Sequence, residues 1–293
     1  MAGAVTNSPE IYGGRRLKLL HCCIILIVVT AACMHKTQSP EGPARSGWTL
    51  TWSDEFNQAN GSVPDPNKWL IETGGNGWGN QELEYYTTRP ENVHVEGGNL
   101  VMTALKQTYT GQDGVTRDYT SARLNTSARF AQPYGRFEAR IRIPYGQGIW
   151  PAFWMLGNDI GTSGWPGCGE IDIMENIGRE PAIVHGTIHG PGYSGANGIS
   201  SAYSLASGRF ADDFHVFAAE WEPQKIRFYV DDQLYATRTP ADLPPGTKWV
   251  YDHPFFVILD LAVGGEWPGN PDNTTSFPQQ MLVDYVRVYQ KAN

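Results

Sequence analysis

Three carboxylates stand within six residues in Glu170-Ile171-Asp172-Ile173-Met174-Glu175. Successive side chains of a strand point to opposite faces. Glu170 and Asp172 then share one face, and Ile171 and Ile173 the other. Strict alternation would send Glu175 to the isoleucine side, where burying a charge among apolar groups is costly. One extra residue at or near Met174, a β-bulge, returns Glu175 to the acidic face; bulges of this kind re-aim side chains beside active sites. With the bulge, Glu170 and Glu175 lie about four strand steps apart, roughly 13 Å between Cα atoms. Two glutamates leaning together close that to about 5 Å between carboxyl groups, the spacing of retaining glycoside hydrolysis. One carboxylate attacks the sugar; the other serves as acid and then as base. Such a pair needs one ionised and one protonated member, and Asp172 stands where it would share a proton with the nucleophile. Two other uses of the acids compete. On a solvated edge strand three like charges would repel one another for no gain; a hard-cation site is the other.

The neighbouring sequence supplies aromatic surface. In Gly148–Met155, Trp150, Ala152 and Trp154 share one face, and Ile149, Phe153 and Met155 the other. Because the second face is already apolar, the tryptophan face is the open one. Such rings pack against amphipathic surfaces, including the C–H faces of sugars. Core packing is the alternative for Trp154. His185 and His189 sit in an alternating segment, Ala182–His189, without a His-Glu-x-x-His pattern, so spacing gives little support for zinc. His189 reads as a hydrogen-bonding group for substrate, and His185 as a structural histidine. Asp284 shares a strand face with Val286 and Val288, and a carboxylate there needs a partner: calcium, arginine or backbone N–H groups.

The elements that position these residues are strands. In Gly135–Ile143, Phe137, Ala139, Ile141 and Ile143 alternate with Arg136, Glu138, Arg140 and Arg142, the pattern of a half-buried strand. Asn92–Ala104 reads as two strands around Gly97-Gly98, and Lys225–Thr239 as two around Asp231-Asp232. Further strands are expected over 48–56, 148–156, 170–176, 182–189, 214–221, 254–263 and 281–289. No long helical period interrupts them. About a dozen strands with irregular loops point to an all-β, two-sheet antiparallel sandwich in a single catalytic domain, 47–291.

Charge and termini narrow the partners. The chain carries a formal charge of −8, and three of its basic residues, Arg15, Arg16 and Lys18, precede an apolar run from Cys22 to Cys33. The body is therefore acidic, which argues against nucleic acid and anionic membrane. Basic flank, short apolar run and small residues form the pattern of a signal peptide over 1–33, and Thr30-Ala31-Ala32-Cys33 resembles a lipoprotein processing site with Cys33 as the lipidated residue. Residues 34–46 read as a linker. The expected location is outside the cell or lipid-anchored at the bacterial envelope, as a monomer with no protein partner. Of the four cysteines only Cys168 lies beyond this leader, so no disulfide framework is expected.

The acidic segment resembles the signature of glycoside hydrolase family 16, in the form with the extra residue found in its laminarinase-like β-1,3-glucanases. The resemblance extends through Tyr134–Arg140, Gly148–Leu156, Gly186–Gly190, Phe214–Phe217, Leu261–Gly269 and Val283–Tyr289. It implies a jelly roll of the concanavalin-like kind with a concave substrate cleft. It implies Glu170 as nucleophile, Asp172 as assisting acid and Glu175 as acid/base, with no cofactor for catalysis. It implies a cleft lined by Asn80, Glu84, Arg123, Trp150, Trp154 and His189 and closed by Trp267. It also implies a structural Ca²⁺ on Asp284, with Glu55 and backbone oxygen near Gly98 as weaker ligands. The substrate implied is a neutral β-glucan with β-1,3 or mixed β-1,3-1,4 linkages. The alternatives are agar-, carrageenan- or galactan-type polymers, transglycosylation between glucan chains, and glucan recognition without catalysis.

Overall fold

The periodicity of two becomes strand after strand. The computed structural model describes residues 45–292; the expected leader, the Cys33 site and all of the linker but Arg45 and Ser46 lie outside them. Among the described residues, the first half of the chain forms β1 (Trp48–Asp54), β2 (Leu70–Ile71), β3 (Glu84–Tyr86), β4 (Val93–Glu96), β5 (Asn99–Thr110), β6 (Thr116–Ser121), β7 (Arg123–Asn125) and β8 (Gly135–Arg142). The second half forms β9 (Ile149–Gly157), β10 (Glu170–Glu175), β11 (Ile183–His189), β12 (Ile199–Ser204), β13 (His215–Glu222), β14 (Lys225–Val230), β15 (Gln233–Arg238), β16 (Phe255–Val263) and β17 (Gln279–Lys291). The eight strands expected singly and both hairpins are present. The short strands β2, β3 and β7, with β6 and β12, carry too little alternation to be read from sequence.

Two sheets result. One runs β12-β11-β10-β9-β16-β7-β2 and carries the acidic segment at its middle. The other runs β15-β14-β13-β8-β17-β5-β6-β3, with β1 on β17 and β4 on β5. Pairing is antiparallel except between β3 and β6. Inward side chains of both sheets form one core, among them Phe137, Ile141, Phe153, Met155, Ile171, Phe217, Leu259 and Val286. This is the jelly-roll sandwich expected. The two hairpin turns fit the twist of their strands: Gly97 and Gly98 have φ of 58° and 74°, and Asp231 and Asp232 50° and 63°, both residues left-handed as tight hairpins require.

One expectation of solvent exposure fails. Arg136 is fully buried and Glu138 nearly so, although both lie on the charged face of β8. Arg136 donates to Glu138 at 2.8 Å, to Glu220 at 3.2 Å and to Asp232 at 2.6 Å, and Tyr229 lies over its guanidinium. Three carboxylates and a ring replace water around that charge, which is the condition for burying it.

Candidate active site

The bulge sits where the sequence requires one. Against β9, Asp172 pairs with Trp154 and Met174 with Phe153, so β10 spends two steps where β9 spends one. The register against β11 shifts over the same stretch, with Asp172 opposite Thr187 and Glu175 opposite His185. Ile173 and Met174 therefore both enter the core, and Glu175 returns to the face of Glu170 and Asp172. An added residue in one strand of an antiparallel pair has this effect.

Glu170 and Glu175 lie along the floor of a cleft of about 730 Å³, lined also by Trp78, Asn80, Arg123, Trp150, Trp154, Trp165, His189 and Trp267, with Asp172 buried between them. Glu170 Oε2 accepts the Trp165 indole N–H at 2.5 Å, and Glu170 Oε1 lies 3.9 Å from His189 Nε2. His189 Nε2 is 3.1 Å from Asp172 Oδ2, yet that oxygen has no aligned hydrogen-bond donor. Glu175 Oε1 accepts the Trp150 indole N–H at 3.2 Å.

Burial controls the protons. It pushes the Glu170 carboxyl up to about 8, helped by the neighbouring Asp172 charge, while His189 and the Trp165 N–H pull it down. Burial raises Asp172 to about 7. Glu175 is raised well above the ordinary carboxylate range by burial first and then by Asp172. Three acids this close and this buried do not ionise together, so the cluster retains protons at neutral pH. One ionised and one protonated carboxyl side by side is what a nucleophile and a general acid need.

The family model for "Glycosyl hydrolases family 16" matches residues 80–287. The chain belongs to glycosyl hydrolase family 16. It is 43% identical over 278 residues to a β-glucanase of Rhodothermus marinus, covering 91% of this chain and 93% of that protein. It resembles the laminarinase catalytic domain of Thermotoga maritima at 52% identity and a TM-score of 0.79, covering 84% of this chain and 99% of that one. It resembles the endo-β-1,3-glucanase of Pyrococcus furiosus at 50% identity and a TM-score of 0.80, covering 84% and 95%.

Most residues expected in this family-16 cleft meet there. Trp150 packs edge-on against Trp267 at 5.7 Å. The Trp267 loop is tied down by Gln147, whose amide donates to the carbonyls of Pro268 and Asn270. Glu84 is a correction. It is completely buried, does not line the cleft, and accepts the Val263 backbone N–H at 2.7 Å; burial and nearby Glu82 raise its pKa. Sequence reading missed Trp78 and Trp165, which come from loops, and Asp260, an acid inside the apolar run of β16. That isolated acid was the one available signal.

The expected calcium ligands fall near one another around the middle of β17. Pairing of Leu100 with Val283 and of Asp54 with Val286 puts the Gly98 turn and the end of β1 level with Asp284. Both Glu55 oxygens accept from Arg287, at 2.9 and 2.6 Å, so that side chain does not fit as a ligand. Asp284 Oδ2 accepts from Arg140 at 2.8 Å, one of the partners its position calls for; a cation would have to use Oδ1 and backbone carbonyls. Cys168 is fully buried beside Leu156, Phe256 and Ile258, and burial holds its thiol at about 11. It acts as a small apolar residue.

Proposed function

We propose that this family-16 glycoside hydrolase is a retaining endo-glycosidase that cleaves internal β-1,3 linkages in laminarin-like glucans and also acts on mixed β-1,3-1,4 glucans. The observation that carries the reading is the bulged β10, which aims Glu170 and Glu175 into one tryptophan-lined cleft with Asp172 buried between them. The relatives' names, β-glucanase, laminarinase and endo-β-1,3-glucanase, support the substrate class.

In this reading Glu170 attacks the anomeric carbon while Glu175 protonates the departing glycosidic oxygen. The glycosyl–Glu170 ester forms and the sugar–oxygen bond breaks. Glu175, now ionised, takes a proton from water, whose oxygen displaces Glu170 and restores both acids. Asp172 receives and returns the proton that Glu170 must lose to attack, and His189 and the Trp165 N–H favour the ionised nucleophile. Trp150, Trp154 and Trp267 hold sugar rings by their faces, and the acidic charge of the chain disfavours sulfated polymers. No metal or cofactor enters these steps. The N-terminal basic and apolar segment supports export, with Cys33 as the anchor point. A structural calcium at Asp284 is supported by register alone; a chelator should then lower the melting temperature and leave cleavage intact, and an unchanged melting curve would remove the ion from the account.

The test is reducing-sugar release by residues 34–293 from laminarin, mixed-linkage glucan, agarose and carrageenan. Release of short oligosaccharides from the first two is expected. Activity on agarose or carrageenan alone would overturn the substrate, and binding to glucan without release from any would overturn the hydrolase reading.

A further inference from the structure

Asp260 lies on β16, paired with Ala152 on β9 and with Arg123 on β7. It is 6% exposed and absent from the cleft lining, so a bound sugar meets it only through the side chains it holds. There are two. Asp260 Oδ1 accepts the Trp154 indole N–H at 2.5 Å and lies 3.8 Å from Arg123 Nη1. The guanidinium of Arg123 is itself sandwiched between indoles, 4.8 Å from the Trp78 ring and 4.8 Å from the Trp154 ring. Glu72 accepts its Nε–H at 2.6 Å. From below, the Tyr86 hydroxyl reaches Glu82 at 3.0 Å and Asp260 Oδ2 at 3.4 Å.

Three flat groups that line the cleft, Trp78, Arg123 and Trp154, thus stack on one another. Cation–π attraction favours the stack but does not fix its rotation. A carboxylate on each side of the guanidinium does, and the same Asp260 oxygen fixes the indole. Ordering such side chains before the ligand arrives removes an entropy cost from binding.

We propose that Asp260 is a positioning residue for glucan binding, holding Trp154 and Arg123 as one rigid wall of the cleft against which a neutral sugar ring stacks. This rests on the glucanase reading above. Two variants test it. Asp260→Asn keeps an oxygen for the Trp154 N–H and discards the charge; Asp260→Ala discards both. Each is assayed for kcat and KM on laminari-oligosaccharides, and the same oligosaccharides are titrated calorimetrically into each change made in a Glu170→Gln background. Asp260→Ala should raise KM and the dissociation constant about 10- to 100-fold, equivalent to roughly 1.4–2.8 kcal/mol, with kcat within a few-fold. Asp260→Asn, which is close in shape and so preserves folding, should recover most of the binding. Unchanged KM and binding in Asp260→Ala would overturn the proposal. So would kcat losses and a shifted pH profile in both variants at constant KM, because Asp260 would then act on the nearby Asp172 instead of on the wall. Wild-type protein that releases nothing from laminarin, read first in the same assay, overturns the glucanase reading instead.

Discussion

Asp172 Oδ2 lies 3.1 Å from His189 Nε2 without an aligned hydrogen bond, and His189 Nδ1 is buried with no hydrogen-bond partner among the described residues. The imidazole is therefore placed by packing. Gly198 provides the space: a Cβ there would come within 2.2 Å of His189 Cε1, although the backbone at Gly198, φ −55°, suits any residue.

His189→Ala should consequently lower kcat by about 100-fold, the lower end of the range for a group that assists proton transfer. The imidazole pulls the Glu170 pKa down, so its loss moves the acidic limb of the pH–rate profile to higher pH. Gly198→Ala should produce a weaker version of the same shift by pushing the ring aside. A profile that stays in place in both variants would show that His189 does not act on Glu170.

Glu170→Gln should remove turnover by on the order of 10³-fold or more, as expected of a nucleophile, while the protein remains folded and binds glucan. Near wild-type rates would place the nucleophile elsewhere. The same change tests linkage. The folded state holds Glu170 at about 8, above its ordinary 4.5, so it favours the protonated form. Stability is then fullest below pH 4.5 and falls as pH rises toward 8. Gln, always neutral, should be more stable than wild type near pH 8, by about 1–3 kcal/mol, and the difference should close in acid. A constant difference across that window would contradict the buried-proton account.

Much of this site was legible because strand faces are local. Alternation in 170–176 separates acids from isoleucines, and the cost of a buried Glu175 alone demands a bulge, found over Ile173 and Met174. What joins non-adjacent strands was not legible. Asp260 meets Trp154 and Arg123 only through the β9–β16–β7 register, and Trp78 and Trp165 reach the cleft from loops without periodicity. Glu84 illustrates the converse: on a three-residue strand no alternation tells inside from outside, and the acid is buried against Val263. Arg136 was misread for a related reason, since the carboxylates that cover it come from β8, β13 and the β14–β15 turn.

Trp150 has two separable functions. Its ring lines the cleft and its N–H bonds Glu175 at 3.2 Å. Trp150→Ala should weaken glucan binding by roughly 1–3 kcal/mol, the size of aromatic stacking contacts. Trp150→Phe keeps a ring and loses the N–H, which lowers the Glu175 pKa. The basic limb of the pH–rate profile should then move to higher pH with little change in KM. A phenylalanine variant that loses binding without moving the limb would mean that the hydrogen bond does not reach the acid.

The most direct measurement is the anomeric form of the first product. Laminari-oligosaccharide hydrolysis followed by proton NMR within the first minutes should yield the β-anomer at the new reducing end, with the α-anomer growing in later by mutarotation. Two displacements, first by Glu170 and then by water activated at Glu175, require that order. An α-anomer appearing first would mean a single displacement by water, and would contradict the roles of both glutamates.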